Sequence, residues 1–294
     1  MNVGDYVNYI PDLNESGYKA DKLTENITGS DRNISTISQE ELKWKILNIH
    51  EDGTVDLISE TKTNGRIYFT GALGYNNGVY ILNDICKELY SNNTLGIEAR
   101  NINIEDIENQ MNQKGILSRD EYIQAIKYGE HRTFEDGYNH YPNLYAYENG
   151  SGINTTIIKI NGINKSENGY SNPTEYTSST ADEELTVTQT YYNFTNPSEC
   201  FDNSKVYDML FNQGNYWVAS RYAYCVGEYA GFGLRTIGNS NINGGGMLIS
   251  DGTPYSSNYC FRPIVSLGND IQIIPVENAD GSDKNHMHKI MKDN

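Results

Sequence analysis

The chain has 294 residues, a formal charge of -17 and a hydrophobic fraction of 37%. That length is enough for one large domain or two small ones with a substantial core. The acidity argues against nucleic acid or an anionic membrane as partner, because both need a basic face, and acidic substrates are disfavoured equally.

Residues 4–10 (GDYVNYI) alternate as a strand and stop at Pro11, and residues 12–40 read as a long polar loop. A hairpin follows. Trp44–Ile49 and Val55–Ile58 alternate on either side of Glu51-Asp52-Gly53-Thr54, and an Asp-Gly turn between apolar runs is the strongest short-range hairpin signal. Tyr80, Leu82, Ile85, Cys86 and Leu89 recur at helical spacing and predict a helix over 77–90. A second helix is expected from Asn103, with Ile104, Ile107 and Met111 on one side. A third is expected after Ser118-Arg119-Asp120-Glu121, which has the form of a capping box.

From about 130 to 200 the chain is polar and rich in Tyr and Thr, an irregular insertion with a hairpin or two. Strand patterns return at 216–224, 231–237, 246–250 and 260–267. Strands at both ends with helices between predict an α+β domain over 1–275, and residues 276–294 read as a polar tail, mobile at its end. Trp44, Leu82, Ile85, Trp217 and Val265 are expected in one core. Arg262 is expected to act as a buried clamp that needs an acid or carbonyls as partners.

Asn215 to Arg262 is the most distinctive stretch. Tyr, Gly, Ser and Asn make up half of it, it has no Lys, and Glu228 and Asp251 are its only acids. That is the composition of a recognition surface, since Tyr gives rigid amphipathic area and Ser, Gly and Asn give adaptable hydrogen bonding. The plainer reading is a β-meander with Gly-rich turns. The binding reading places Tyr222, Tyr224, Tyr229, Phe232 and Tyr255 on one exposed surface.

Chemistry is sparsely signalled. Cys86, Cys200, Cys225 and Cys260 lack zinc spacing and are expected as free thiols. The histidines His50, His131, His140, His286 and His288 are scattered, and neither a Gly-x-Ser-x-Gly elbow nor H-E-x-x-H occurs. Asn196–Glu199 and Asp280–Asp283 are acidic turns, read as solvated rather than calcium-binding. No metal or cofactor is expected. No apolar run is long enough to span a membrane, and residues 1–10 carry no signal-peptide pattern.

The order VGDYVNY, WKIL, GTVDLIS, an amphipathic helix, YWVASR (216–221) and FRPIVSL (261–267) resembles a family of Firmicute surface and prophage proteins of C-type-lectin-like fold, related to the formylglycine-generating enzymes. The resemblance covers about residues 1–275. It implies that 215–262 corresponds to the part diversified by retroelements in the variable proteins of that fold, where mutagenesis at adenines yields a menu rich in Tyr, Ser, Asn, Asp, Gly, Cys, Phe and Ala. Glu228 and Met247 fall outside the menu and would be framework positions.

The function implied by the resemblance is that of a non-enzymatic module binding a protein or glycan on another cell or phage. Its ligand-binding residues would be Tyr222, Tyr224, Cys225, Tyr229, Phe232, Asn239, Asn241, Asn243, Tyr255, Asn258 and Tyr259. The resemblance also implies an excised ectodomain, extracellular or displayed at the cell surface, tethered by an N-terminal segment that this chain lacks. The rivals are an oxidase of the formylglycine-generating type, using Cys225 and Cys260, and a structural adhesin or pilus subunit whose tyrosines simply pack. The enzyme family's paired-cysteine motif and the calcium-lectin motifs Glu-Pro-Asn, Gln-Pro-Asp and Trp-Asn-Asp are absent.

Overall fold

The structure is a computed structural model and describes residues 1–19, 36–127, 163–165, 171–173, 184–226, 229–238, 240–249, 255–274 and 279–292. It is mixed α and β, with mostly antiparallel strands and, among the described residues, four α-helices.

The first sheet is antiparallel and takes the order β1 (Tyr6–Val7), β4 (Trp44–Ile49), β5 (Val55–Ser59), β16 (Pro263–Leu267), β7 (Ala99–Asn101). β4 and β5 are the expected hairpin, and Gly53 in its turn has φ +90°, a conformation that suits only glycine well. β2 (Tyr18–Lys19) and β3 (Thr36–Ile37) pair within the stretch expected to be loop, and Tyr18 is fully buried with its hydroxyl on Asp84.

The second sheet takes the order β14 (Asn241–Ile249), β13 (Tyr229–Gly238), β12 (Tyr216–Val226), β15 (Ser256–Cys260), β6 (Arg66–Thr70). The segment 260–267, which reads as one strand, is two. β15 ends at Cys260 in the second sheet and β16 starts at Pro263 in the first, so Phe261 and Arg262 carry the chain between sheets. Proline at the first position of a strand sacrifices no interior ladder bond.

Arg262 holds this crossing. It is fully buried, its Nε and Nη2 donate to the Ser59 carbonyl at 3.1 and 2.7 Å, Nη2 also reaches Glu60 O, and Nη1 donates to Met209 O. Its guanidinium lies over the Tyr216 ring. The clamp expected from the sequence is therefore made with carbonyls. Asn101, also fully buried, accepts from Arg262 N and donates to Trp217 O, tying an edge of the first sheet to the second.

Helix α1 (Gly71–Tyr90) starts six residues earlier than its apolar spacing predicts. Tyr75, Val79, Leu82, Ile85, Cys86 and Leu89 form its buried stripe. These residues join Trp44, Trp217, Phe232, Leu234, Met247 and Val265 in one core cluster, so the five residues expected to share a core do so. α2 (Ile104–Glu108) has a full capping box between Asn103 and Asp106, and Ile104, Ile107 and Met111 face a second core cluster. α3 (Gln113–Leu117) is capped by Asn112, and α4 is Ser204–Phe211.

The third helix expected after Ser118 does not form. Residues Arg119–Lys127 are strand β8, paired in continuous register with β11 (Glu184–Tyr192). The capping-box pattern was local, and the long-range ladder overrides it. Most of the expected insertion lies outside the described residues; β9 (Ile163–Lys165) and β10 (Ser171–Pro173) pair within it.

The polar tail is docked over residues 279–292, and its last two residues, where mobility is expected, lie outside the described residues. β17 (Ile271–Ile274) pairs with β18 (Lys289–Lys292), and buried His288 exchanges backbone hydrogen bonds with Tyr6 and Asn8.

Candidate ligand-binding face

Register decides which side chains of the second sheet share a face, because residues directly opposite in an antiparallel ladder point the same way. Tyr222 is opposite Gly233 and Tyr224 opposite Gly231, while Ala223 is opposite Phe232 and Cys225 opposite Ala230. Gly233 in turn is opposite Gly246, and Arg235 opposite Gly244. One face therefore carries Tyr222, Tyr224, Arg235 and four glycines. The other carries Phe232, Leu234, Trp217 and Cys225 and packs toward α1.

The glycines are in strand interiors rather than in turns, and their role is close approach. A Cβ at Gly233 would stand 2.8 Å from the Tyr222 ring, and one at Gly246 would stand 2.8 Å from the Tyr224 hydroxyl. A Cβ at Gly231 would run into the Tyr224 ring, and one at Gly244 into Tyr222. Both rings thus lie down across β13 and β14 on bare backbone, with centroids 5.3 Å apart and planes inclined by 18°. Interior glycine weakens a strand, and here it makes a floor for two aromatic rings.

Tyr222 is pinned from the side. Arg235, 2% exposed, places its guanidinium over the Tyr222 ring at 5.5 Å and over Tyr192 of β11 at 5.3 Å, and its Nη2 donates to Thr190 O at 2.9 Å. The ribbon β8–β11 is anchored to the sheet by that contact, and Gln189 adds an acceptor for Cys225 N. Burial pushes the Tyr222 phenol well up from its ordinary value, with neighbouring Tyr224 adding to the rise. Tyr224 is farther out; its phenol is also raised, first by burial and then by Tyr255 nearby. Tyr255 is 47% exposed, and its carbonyl accepts from Thr70 and Gly71 at the start of α1.

The eleven sequence-derived residues do not make one surface. Phe232 is a correction: it is fully buried and packs edge-on against Tyr75 at 5.6 Å, because its register partner Ala223 sets it on the α1 side. Tyr259 stands edge-on to Trp217 at 4.8 Å and packs against the core, and half-buried Cys225 packs there too. Asn241 uses its side chain to accept from Ile242 N; Asn243 is exposed. Asn258 is half-buried, with an Oδ1 that has no partner among the described residues. Asn239 and the side chain of Tyr229 lie outside the described residues. Tyr222, Tyr224 and Tyr255 remain as the aromatic group. Arg235 and the floor glycines were missed, although the spacing of two in Gly231/Gly233 and Gly244/Gly246 matches Tyr222/Tyr224.

The thiols are free: Cys86, Cys200 and Cys260 are buried. Cys225 and Cys260 belong to different core clusters, and burial pushes the Cys225 thiol up, away from thiolate chemistry. Among the described residues no group of three or more His, Cys, Asp or Glu side chains could hold a metal, and no helix is long and apolar enough to cross a membrane. The Glu199 carboxylate is engaged by Lys114 and Asn196. Comparison with protein-family models, with curated proteins and with solved structures returns no match.

Proposed function

We propose that this chain is a non-enzymatic recognition module of C-type-lectin-like fold, displayed outside the cell, that binds a protein or glycan through the outer part of its second sheet. The observation that carries the reading is the pair Tyr222 and Tyr224 laid flat on four interior glycines. Such a platform presents aromatic area already fixed in position, so little side-chain entropy is lost when a ligand settles on it. Tyr224 and Tyr255 meet the ligand; Tyr222 and Arg235 hold the platform and the ribbon beside it. Of the positions outside the retroelement menu, Met247 is fully buried in the core, as a framework position should be.

The structural-subunit reading has one specific support, the burial of Tyr222 against Arg235. Screening the wild type and a Tyr224→Ala/Tyr255→Ala variant side by side against arrayed glycans and arrayed surface proteins separates the two. Recognition requires a ligand that the wild type binds and the equally well-folded variant does not. Ligands bound alike by both, or no ligand at all, would favour packing.

A further inference from the structure

The loop 60–65 joins β5 in the first sheet to β6 in the second, and a carboxylate from elsewhere in the chain holds its tip. Glu40 accepts from Asn64 N at 2.8 and 3.0 Å, from Asn64 Nδ2 at 2.8 Å and from Gly65 N at 3.0 Å. Glu40 is itself fixed. Its N–H donates to the Tyr90 hydroxyl, and neighbouring Gln39 donates to the Asp12 and Leu89 carbonyls. The loop in turn braces the crossing between sheets. Thr63, 1% exposed, donates from N and Oγ1 to Phe261 O and accepts from Phe261 N, while Glu60 O accepts from Arg262 Nη2.

Asn64 and Gly65 form an Asn-Gly pair, in which ring closure between side chain and backbone is least hindered because glycine has no Cβ. In that closure Gly65 N attacks Asn64 Cγ, the Cγ–Nδ2 bond breaks, and Nδ2 leaves as ammonia with the proton from Gly65 N. Water then opens the succinimide at either carbonyl, giving aspartate or isoaspartate. Glu40 engages both nitrogens of this exchange, the nucleophile on Oε1 and the leaving group on Oε2. Closure needs Gly65 N without its proton, and a carboxylate 3.0 Å away makes that anion costlier. It also needs the Asn64 side chain to turn, which the bond from Nδ2 opposes.

We propose that Asn64 is a guarded deamidation site, inert while Glu40 grips it and converted irreversibly once loop 60–65 opens. Asn64 is exposed, so water reaches the succinimide. The change is one-way in structure as well as in chemistry. The new carboxylate stands where Nδ2 donated to Glu40 Oε2 at 2.8 Å, and a hydrogen bond becomes a like-charge contact. Isoaspartate also adds a carbon to the main chain and moves Gly65 N off Oε1. A chain that has opened here therefore re-docks the loop poorly. It keeps a lasting mark, an added acid on the loop that braces Phe261 and Arg262.

The full chain is incubated in mildly alkaline buffer, native and in urea, and peptide mapping follows the mass gain and isoaspartate at Asn64. The native chain is expected to convert Asn64 at least about tenfold more slowly than the unfolded chain, since reaction waits for local opening. Glu40→Gln, which keeps the side-chain shape without the charge, should raise the native rate roughly three- to tenfold. It should leave Asn243-Gly244, another Asn-Gly pair, unchanged. Asn64→Asp places the product there directly and covers the case in which Glu40→Gln fails to fold. Its Gly65 amide should exchange several-fold faster than in the wild type, and its unfolding midpoint should fall. Native Asn64 converting as fast as unfolded, a rate that Glu40→Gln leaves unchanged or slows, or an Asn64→Asp chain as stable and as protected as the wild type would overturn the inference.

Discussion

The guanidinium of Arg235 lies over the rings of both Tyr222 and Tyr192, on β12 and β11, and so joins the platform to the ribbon. Replacing it with Met keeps length and apolar contact but removes the charge and the donor to Thr190 O. Arg235→Met is expected to cost about 2–4 kcal/mol. Amide exchange should accelerate chiefly in 119–127 and 184–192, where the ribbon is released. A uniform acceleration across α1 and the first sheet would place the role of Arg235 elsewhere.

Gly244→Ala tests the glycine floor. The new methyl collides with the Tyr222 ring rather than with backbone dihedrals, since Gly244 does not have positive φ. Overpacking of this kind costs about 1–3 kcal/mol. Combined with Tyr222→Ala the collision disappears, so a double-mutant cycle should show coupling of about 1 kcal/mol or more. Additive effects would mean that the ring does not rest on Gly244.

Arg262→Lys should be far from conservative. A lysine ammonium cannot reach Ser59 O, Glu60 O and Met209 O together while stacking on Tyr216. A loss of about 3–5 kcal/mol in denaturant unfolding is expected, because carbonyls that Arg262 satisfies are left buried without a donor. Retention of wild-type stability would contradict the clamp.

Alkaline pH should unfold the chain. Burial raises the phenols of Tyr9, Tyr90, Tyr216, Tyr222 and Tyr224, and burial together with Glu60 takes Tyr6 up to about 12. A group that holds its proton more tightly when folded contributes stability below its unfolded value, about 10 for tyrosine, and loses it as pH rises through the folded value. Unfolding free energy should therefore fall from about pH 10 upward, and Tyr6→Phe should lessen the fall between about 10 and about 12. Phenolate absorbance measured alongside denaturant melts checks this; a stability that rises above pH 10 would reverse the sign.

Local patterns carried the sequence reading where structure is local. The Asp-Gly hairpin, the apolar stripe of α1, the helix start at Asn103 and the inward tryptophans all stand as expected, because each is specified by neighbours within a turn or a strand. The ribbon β8–β11 was illegible since its two halves lie far apart in sequence, and a capping-box pattern at Ser118 pointed the other way. Phe232 was misjudged for a related reason. Its exposure depends on register against β12, and a slip of one residue exchanges the faces. The tail looked polar because its docking relies on backbone hydrogen bonds to Tyr6 and Asn8, which composition does not reveal.

Protease resistance of a site-saturation library over residues 215–262 tests the division of this stretch into framework and recognition surface most directly. Substitutions at Tyr224, Asn243 and Tyr255 are expected to leave resistance near wild type, exposed changes costing under about 0.5 kcal/mol and the half-buried Tyr224 somewhat more. Trp217, Phe232 and Arg262 should tolerate almost nothing, with Trp217→Ala costing about 3–5 kcal/mol, and Tyr222 should fall between. A library in which Tyr224 and Tyr255 are as intolerant as Trp217 would contradict the account and make the tyrosine-rich stretch internal packing.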